Sequence, residues 1–424
     1  MPMPARTPAR PPRIAAAVGI VVLAALAVGF GSGGRSPSPG GASSTAAARL
    51  WTGPTPTTTP MSPADAEAIG AAGEQIIATM GKDLPGAWIG VWDAKKGYHI
   101  GAYGKAALPN TVATVGDHNR IGSVSKTFTT ATIMRLVDQG KLTMDSTIDQ
   151  VLPDLAERYP SLAPITVTQL IDMTSGIADY VNTGAIFKTL FNDPKKAWTP
   201  SEIINLSQTM QNAEPGTPGY TSTATIILGE MVATVSGKPL EEAINQTAAD
   251  AGLTQTALPA AGDAAMPAPA SHGYIFAPGV NSLKEVLEQG EATLTPGTDV
   301  SDWSPSWGGA AGGMYSTVGD LGKWAGTGFG STLLSEKLGA ARVGGLTTKS
   351  EGGEAYGLGL THWGDDWVGH TGQIIGWESF AAYNVKTGDA IVLMVNETGS
   401  LPDALLALLG VANPELRLKL AAAR

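Results

Sequence analysis

The sequence has no cysteine and few histidines. Its 424 residues include no Cys and five His, so a disulfide, a thiolate metal site and a cysteine nucleophile are excluded. The histidines are scattered, and the His-Glu-x-x-His pattern is missing, which disfavours a histidine-built zinc site. The sequence therefore predicts a protein that works without a metal or another cofactor.

Basic residues are also scarce once the first segment is set aside. Residues 1–61 carry five Arg and no acidic residue, which leaves 22 basic against 37 acidic residues in the remainder. Nucleic-acid binding depends on Lys and Arg side chains that neutralise phosphates. We therefore expect no nucleic-acid partner.

The N-terminus has the pattern of a targeting segment. Three arginines precede an unbroken apolar run, Ile14–Phe30, as in the charged and hydrophobic regions of a signal peptide. The run is also at the lower limit of what spans a bilayer. We predict a signal peptide or membrane anchor over 1–33 and a disordered Pro/Thr/Gly/Ser linker over 34–61. The rest should be extracytoplasmic, secreted or anchored, and should meet a membrane only through this segment.

The pattern of apolar residues predicts an α+β fold. A capping box at Ser62 opens the first helix. Strand patterns occur at 87–103 and return only at 356–396, whereas 125–255 has helical periodicity. We expect an antiparallel sheet built from N- and C-terminal strands, flanked by helices, with an inserted helical domain. The expected boundaries are one domain over 62–424, with a sheet subdomain at about 62–145 and 291–424 and a helical insert at about 146–290.

Ser123, in the run Ser123-Val124-Ser125-Lys126, is a candidate nucleophile. Apolar residues recur at helical intervals from here to Gly140, so the serine should lie in the first turn of a helix. Side chains three apart share a helix face, which would bring the Lys126 amine beside the hydroxyl. A neutral amine can accept the hydroxyl proton, although holding a lysine neutral at pH 7 takes about 4.6 kcal/mol. The alternative is a capping serine with a solvated lysine.

Two further segments carry groups that such a nucleophile needs. Tyr220 and Ser222 lie at a predicted loop-to-helix junction, and the alternative there is an N-cap serine beside a packing tyrosine. His370-Thr371-Gly372 precedes a predicted strand. A small-residue strand edge can hydrogen-bond an extended substrate, and a histidine cation could meet a carboxylate. The alternative is a turn with a solvated histidine.

Together these motifs resemble the penicillin-recognising serine hydrolases: class C β-lactamases, DD-carboxypeptidases of that branch and related esterases. That family carries Ser-x-x-Lys at a helix start, then Tyr-x-Asn, then Lys/His-Thr-Gly on a late strand. The three motifs occur here in that order. Framing segments match as well: Thr174-Ser-Gly-Ile177, Pro215-Gly216, Ala311-Gly-Gly-Met314 and Tyr356-Gly-Leu-Gly-Leu360. The resemblance covers about residues 64–400 and implies a β-lactamase/transpeptidase-like fold.

The resemblance implies a catalytic role for three residues. Ser123 would be the acylated nucleophile, and Lys126 would be its proton acceptor or relay. Tyr220 would be the general base or acid that serves Ser123 and the leaving group.

The same resemblance implies substrate-binding roles on the late strand. His370, followed by Thr371 and Gly372, would orient the tyrosine and meet a carboxylate of the substrate. The backbone amides of Ser123 and Gln373 would form the oxyanion hole, in which the loss of one donor typically costs about 2.7–4 kcal/mol.

Ser222 departs from the family pattern, because it stands where the family has asparagine. That asparagine contacts both the nucleophile's lysine and the substrate amide. A serine can accept from Lys126 but is too short to reach as far. A weakened hydrogen bond to a charged group is worth about 1.5–3 kcal/mol, so turnover of peptides or β-lactams should suffer more than acylation.

These features predict an exported serine hydrolase that works through an acyl-Ser123 intermediate. Its substrate would be a small molecule or peptide: a D-alanyl-D-alanine stem peptide, as for a carboxypeptidase, or a β-lactam. An esterase of the same fold is the alternative within enzymes, since the family's His form of the third motif is typical of carboxypeptidase and esterase members. A catalytically weak protein that binds cell-wall peptide or penicillin is the alternative outside enzymes.

Overall fold

The computed structural model describes residues 49–289, 293–349 and 354–422. The predicted signal peptide or anchor, and the predicted linker up to residue 48, lie outside these residues. Within the described ranges, no helix is long and apolar enough to cross a membrane.

The helices and strands follow the predicted α+β pattern. The helices are α1 Pro63–Met80, α2 Ser125–Asp138, α3 Ile148–Val151, α4 Pro153–Arg158, α5 Val167–Ile171, α6 Ala185–Asn192, α7 Pro200–Ser207, α8 Ser222–Ser236, α9 Leu240–Asp250, α10 Ala277–Ser282, α11 Lys284–Gln289, α12 Gly309–Gly312, α13 Val318–Gly326, α14 Glu336–Gly344, α15 Leu401–Ala412 and α16 Pro414–Ala422. The strands are β1 Gly86–Asp93, β2 Gly97–Ala107, β3 Thr111–Val112, β4 Asn119–Arg120, β5 Tyr274–Ile275, β6 Thr298–Asp299, β7 Tyr315–Ser316, β8 Leu346–Lys349, β9 Glu354–Gly357, β10 Thr361–Trp363, β11 Trp367–Ile374, β12 Trp377–Asn384 and β13 Ala390–Val395.

One antiparallel sheet joins the two ends of the folded chain. Its strand order is β3-β2-β1-β13-β12-β11-β10-β9-β8. The junction is the pairing of β1 with β13, in which Trp88 lies opposite Met394. The predicted sheet of N- and C-terminal strands is therefore confirmed. Residues 354–363 form two strands, β9 and β10, because the chain turns where the Gly357 amide donates to the Leu360 carbonyl at 2.9 Å.

Helices cover both faces of the sheet. On one face, α1 and α15 bury side chains such as Ile76 and Leu408 against Leu393. On the other face, α2 and α13 contribute Phe128 and Trp324, whose rings stack at 4.0 Å between centroids. Burial of such side chains is the main source of stability in a core of this kind.

The helical region packs around α8. Helices α3 to α11 span the chain from Ile148 to Gln289, interrupted by the two-residue strand β5. Helix α8 packs against α2, α5, α7, α9 and α12. Helix α2 is thus shared, because one side belongs to the sheet core and the other side meets α8. The start of α2 and the start of α8 therefore meet where the sheet and the helical region join.

Residues 49–61, the end of the predicted disordered linker, run along the folded body instead. The Trp51 amide donates to the Leu334 carbonyl at 3.0 Å, and the Met61 amide donates to the Tyr98 carbonyl at 2.9 Å. The Met61 side chain is buried. The composition of this stretch predicted disorder because most of its residues are Pro, Thr and Gly. The few apolar side chains and backbone amides that anchor the stretch have little weight in an average composition.

Candidate active site

Ser123 lies in a tight 3₁₀ turn, Gly122–Val124, which leads into α2. The expected α-helix begins two residues later, at Ser125. Gly122 has φ of 50°, a left-handed conformation that glycine adopts without strain. A Cβ atom at Gly122 would lie 2.4 Å from the backbone nitrogen of Gln373. The glycine therefore shapes the turn and lets the candidate nucleophile approach β11.

The Lys126 amine lies against the Ser123 hydroxyl, as the three-residue spacing predicted. The Lys126 Nζ atom is 2.9 Å from Ser123 Oγ and 3.0 Å from the carbonyl oxygen of Ala311. The lysine is 1% exposed. Burial lowers the pKa of Lys126 to about 7, against the opposing effect of the nearby Asp179 carboxylate. At neutral pH and above, an uncharged amine is thus in place to accept the Ser123 proton.

Tyr220 completes a set of three groups around the hydroxyl. The Lys126 Nζ atom lies 5.0 Å from the centroid of the Tyr220 ring, and the Ser123 side chain is close enough to lower the pKa of the phenol. Burial raises the pKa of Tyr220 well above its usual value, and the neighbouring Tyr356 raises it further. The phenol therefore keeps its proton at neutral pH and can donate it.

His370 is buried on β11 and neutral. Its Nδ1 atom lies 2.5 Å from the Thr371 carbonyl oxygen, so Nδ1 carries the proton and Nε2 accepts from the Tyr356 hydroxyl at 3.2 Å. Burial, with a smaller effect from the charge of Lys126, lowers the pKa of His370 to about 3. The structure thus corrects the expectation that a histidine cation meets a carboxylate. The imidazole instead packs beside Tyr220, at 6.0 Å between ring centroids.

The rest of the strand motif is pinned to the nucleophile's turn. A Cβ atom at Gly372 would lie 2.0 Å from the Ile121 carbonyl oxygen, to which the Ser379 hydroxyl donates at 2.8 Å. Thr371 is exposed, and Gln373 is partly buried. This close approach places the Gln373 backbone beside the Ser123 turn, which is where the expected oxyanion hole requires it.

Glu378 is a buried residue at this end of the site that the sequence reasoning did not place there. It faces Gln373 across the β11–β12 hairpin, and its carboxylate accepts from the Gln373 side-chain amide at 2.7 Å and from the Leu401 amide at 2.8 Å. Burial raises the pKa of Glu378 to about 7. The carboxyl group thus fixes the Gln373 side chain and the start of α15. Hairpin register was the only signal that could have paired these residues.

Ser222 faces Asp179 rather than the lysine. Its backbone amide donates to Asp179 Oδ2 at 2.9 Å, and its side chain helps to lower the pKa of that carboxyl group. The expected acceptor role toward Lys126 is therefore replaced by a contact with an acid. Asp179 is 7% exposed and was missed, because 43 residues separate it from Ser222.

The described residues hold no group of three or more His, Asp or Glu arranged to bind a metal ion. The chemistry in this part of the chain is that of a serine flanked by a buried amine and a phenol. Together with the nine-stranded antiparallel sheet and its helical region, this site defines a serine hydrolase of the β-lactamase/transpeptidase-like fold. The sequence profile of the Beta-lactamase family matches residues 74–413, and the chain belongs to that family.

Solved structures with this fold include amidases and penicillin-binding protein homologues. A D-stereospecific amidohydrolase from Streptomyces sp. is 25% identical, with a TM-score of 0.67 over 81% of this chain and 98% of that chain. The D-amino acid amidase from Ochrobactrum anthropi SV3 is 24% identical, with a TM-score of 0.67 over 85% and 98%. An octameric penicillin-binding protein homologue from Pyrococcus abyssi is 23% identical, with a TM-score of 0.64 over 81% and 76%.

Curated relatives match over shorter segments. Penicillin-binding protein 4 of Amycolatopsis lactamdurans is 31% identical over 132 residues, which are 29% of this chain and 31% of that protein. The probable fimbrial assembly protein FimD, serogroup H1, of Dichelobacter nodosus is 27% identical over 128 residues, 30% of this chain and 32% of that protein. The matched segments thus span about a third of the length of these relatives.

Proposed function

We propose that this protein is an exported serine amidohydrolase that acts through an acyl-Ser123 intermediate on D-alanyl-D-alanine peptides or β-lactams. The observation that carries the proposal is the 2.9 Å contact between Ser123 Oγ and the buried Lys126 amine, which lies 5.0 Å from the centroid of the Tyr220 ring. The similarity to a D-stereospecific amidohydrolase supports an amide substrate with a D-configured residue.

The geometry supports a division of labour between the two proton carriers. Neutral Lys126 takes the Ser123 proton while the serine oxygen attacks the carbonyl carbon. The backbone amides of Ser123 and Gln373 stabilise the resulting oxyanion. Tyr220 then gives its proton to the leaving nitrogen as the carbon–nitrogen bond breaks, and it recovers a proton through Lys126. A water molecule then gives a proton to neutral Lys126 and attacks the acyl carbon. The bond to Ser123 Oγ breaks, the acid is released, and the serine hydroxyl recovers its proton.

An esterase is the second candidate, and the position of Ser222 favours it. Because residue 222 is a serine, it has no side-chain amide to hold a substrate amide, and its backbone amide is bonded to Asp179. An activated ester has a leaving group that needs little protonation. Ester hydrolysis therefore depends less on the missing contact than amide hydrolysis does.

A substrate panel on the full chain tests both candidates. Initial rates are measured on a D-alanyl-D-alanine peptide, on nitrocefin and on a p-nitrophenyl ester, together with covalent labelling by a fluorescent penicillin and a fluorophosphonate. We expect labelling and turnover in the wild type and neither in Ser123→Ala. The control is Ser201→Ala, which removes an exposed hydroxyl that accepts from Arg158 at 3.1 Å.

Each outcome of the panel separates the candidates. Turnover of the ester alone supports the esterase and contradicts the amidohydrolase. Labelling without turnover of any substrate supports a penicillin- or peptide-binding protein. Undiminished labelling of Ser123→Ala contradicts all three readings of the site.

Export is a separate part of the proposal and rests on the apolar run Ile14–Phe30 after three arginines. Cell fractionation, with N-terminal sequencing of the mature chain, tests it. Recovery of the full-length chain in the cytoplasm contradicts the proposed extracytoplasmic location, and a chain that stays uncleaved in the membrane fraction identifies the segment as an anchor.

A further inference from the structure

We infer that Asp179 is a positioning residue of this active site: its carboxylate anchors the start of α8 and supplies a fixed negative charge beside Lys126. The inference rests on the proposed acyl transfer, because it concerns the proton that Lys126 accepts from Ser123.

The Asp179 carboxylate is held from two sides. Oδ2 accepts from the Ser222 amide at 2.9 Å, and Oδ1 accepts from the Val181 amide at 3.3 Å. A carboxylate at the start of the 15-residue helix α8 is also stabilised by the positive end of the helix dipole. Burial raises the pKa of Asp179, which is 7% exposed, whereas these contacts and the charge of Lys126 oppose that rise and favour the ionised form.

The backbone around Asp179 is tied to the same helix. The Thr223 hydroxyl donates to the carbonyl of Ala178 at 2.8 Å and accepts from the amide of Tyr180 at 3.0 Å. Residues on both sides of Asp179 are thus clamped to the first turn of α8. The carboxylate is therefore fixed relative to the start of α8. Tyr220 lies two residues before that helix begins.

The titratable groups around Asp179 come from several elements. Lys126 on α2 feels its charge directly, as do the phenols of Tyr180 and Tyr220. Farther away, Tyr356 acts on Tyr220 and His370 feels Lys126. In the described residues, Asp179 is the carboxylate whose charge raises the pKa of Lys126 and so opposes the effect of burial.

The negative charge therefore has a predictable effect on proton transfer. With Asp179 ionised, Lys126 keeps its proton to a higher pH than burial alone would allow. Without that charge, the amine should become a free base at lower pH, and the acid limb of the pH–rate profile should move to lower pH. A residue that only held α8 in place would change rate or stability without moving that limb.

The test compares Asp179→Asn, Asp179→Glu and Asp172→Asn in the full chain. Asparagine keeps an oxygen for the Ser222 amide but has no charge, and glutamate keeps the charge. Asp172 is a matched control, a 4% exposed aspartate that accepts from the Thr174 hydroxyl at 2.6 Å. The pH dependence of kcat/KM is measured with the most active substrate, and the lysine amine is titrated by NMR in protein carrying ¹³C,¹⁵N-lysine, with Lys126→Arg to assign the signal.

We expect the Lys126 midpoint to fall by about one pH unit in Asp179→Asn, the lower end of the effect of a nearby opposite charge. It should lie near the wild-type value in Asp179→Glu and in Asp172→Asn. An unchanged midpoint in folded Asp179→Asn overturns the inference, and so does an equal shift in Asp172→Asn. If Asp179→Asn does not fold, Asp179→Ser, which keeps an oxygen for the Ser222 amide and has no charge, takes its place in the NMR titration, and an unchanged midpoint in that variant overturns the inference.

The two proposals fail differently. The NMR titration needs no turnover, so it reports on Asp179 even in a protein that hydrolyses nothing. Absence of Ser123 labelling contradicts the proposed function alone, whereas normal labelling with an unmoved Lys126 midpoint contradicts only the role of Asp179.

Discussion

The two ends of the active site are built by different means. At the helix end, Ser123 and Lys126 meet because they are three residues apart in one turn of chain. At the strand end, His370 meets Tyr356 from another strand, and the Glu378 carboxylate that holds Gln373 is itself held by the Leu401 amide, 23 residues further along the chain. The contact at the helix end is therefore local in the sequence, whereas the contacts at the strand end depend on segments that are more distant in the sequence.

The two ends also each hold a buried base whose pKa is lowered. Burial lowers the pKa of both, to about 7 for Lys126 and to about 3 for His370. Lys126 has the Asp179 carboxylate close by to oppose burial, whereas His370 faces the positive charge of Lys126 itself. The two pKa values fall by similar amounts, from 10.5 and from 6.5, so burial outweighs the sign of the nearby charge at both sites.

Replacement of Lys126 by arginine should have the largest effect on this comparison. Arginine stays protonated at any working pH, so the base at the helix end is lost, and kcat/KM should fall by about 10²–10⁴-fold. In the wild type, kcat/KM should rise as the pH passes about 7, because the lysine then loses its proton. Lys323→Arg, at a lysine 60% exposed in its side chain on α13, is the control and should leave the rate unchanged. Comparable activity in Lys126→Arg would rule out the lysine as the base.

Gly122→Ala should separate the two ends. The added Cβ would lie 2.4 Å from the Gln373 nitrogen, so β11 must move away from the nucleophile. Loss of one oxyanion donor typically lowers kcat by about 10²–10³-fold, and we expect a loss of that order with a lowered Tm. Gly319→Ala on α13, where a Cβ meets no atom within 4 Å, is the control. Full activity in Gly122→Ala would show that the Gln373 amide does not serve the oxyanion.

Ser222→Asn should have a smaller effect that depends on the substrate. Restoring a side-chain amide near Lys126 should raise turnover of a D-alanyl-D-alanine peptide or nitrocefin by up to about tenfold for each 1.4 kcal/mol recovered. Turnover of a p-nitrophenyl ester should change little. Equal changes for amide and ester, or a drop for the amide, would show that Ser222 does not stand in for the asparagine. Ser222→Ala is measured beside it, because it removes the hydroxyl without adding an amide.

The smallest expected effect concerns His370 and acid stability. The pKa of His370 is about 3 in the folded protein, against a usual 6.5, so the unfolded state binds a proton that the folded state does not. The contribution of His370 to the free energy of unfolding therefore has its full value above about pH 6.5 and decreases as the pH falls towards 3. Thermal unfolding of His370→Gln should show a shallower loss of Tm between pH 7 and pH 4 than the wild type. His362, whose pKa burial lowers to about 4, provides the comparison variant His362→Gln. An identical slope in wild type and His370→Gln would mean that the imidazole is protonated in the fold.

Much of the fold was accessible from the pattern of the sequence. Apolar periodicity placed strands at both ends and helices between them, and the sheet indeed pairs β1 with β13. The capping box at Ser62 marked the start of α1, where the Ser62 hydroxyl accepts from the Asp65 amide. Such signals succeed because they describe contacts within a few residues, which the chain makes in whatever tertiary setting it finds.

At the active site too, the sequence predicted contacts between residues that are close in the chain and missed those between distant residues. Sequence spacing by itself determined that Lys126 would stand beside Ser123, because residues three apart share a face of any helical turn. Only the tertiary structure decided the charges and the distant partners: that Asp179 would reach Ser222 across 43 residues, that the Leu401 amide would bond to Glu378 across 23 residues, and that His370 would be buried and neutral. Protonation depends on burial and on the nearest charges, and both come from segments that meet only when the sheet and the helical region close around α2.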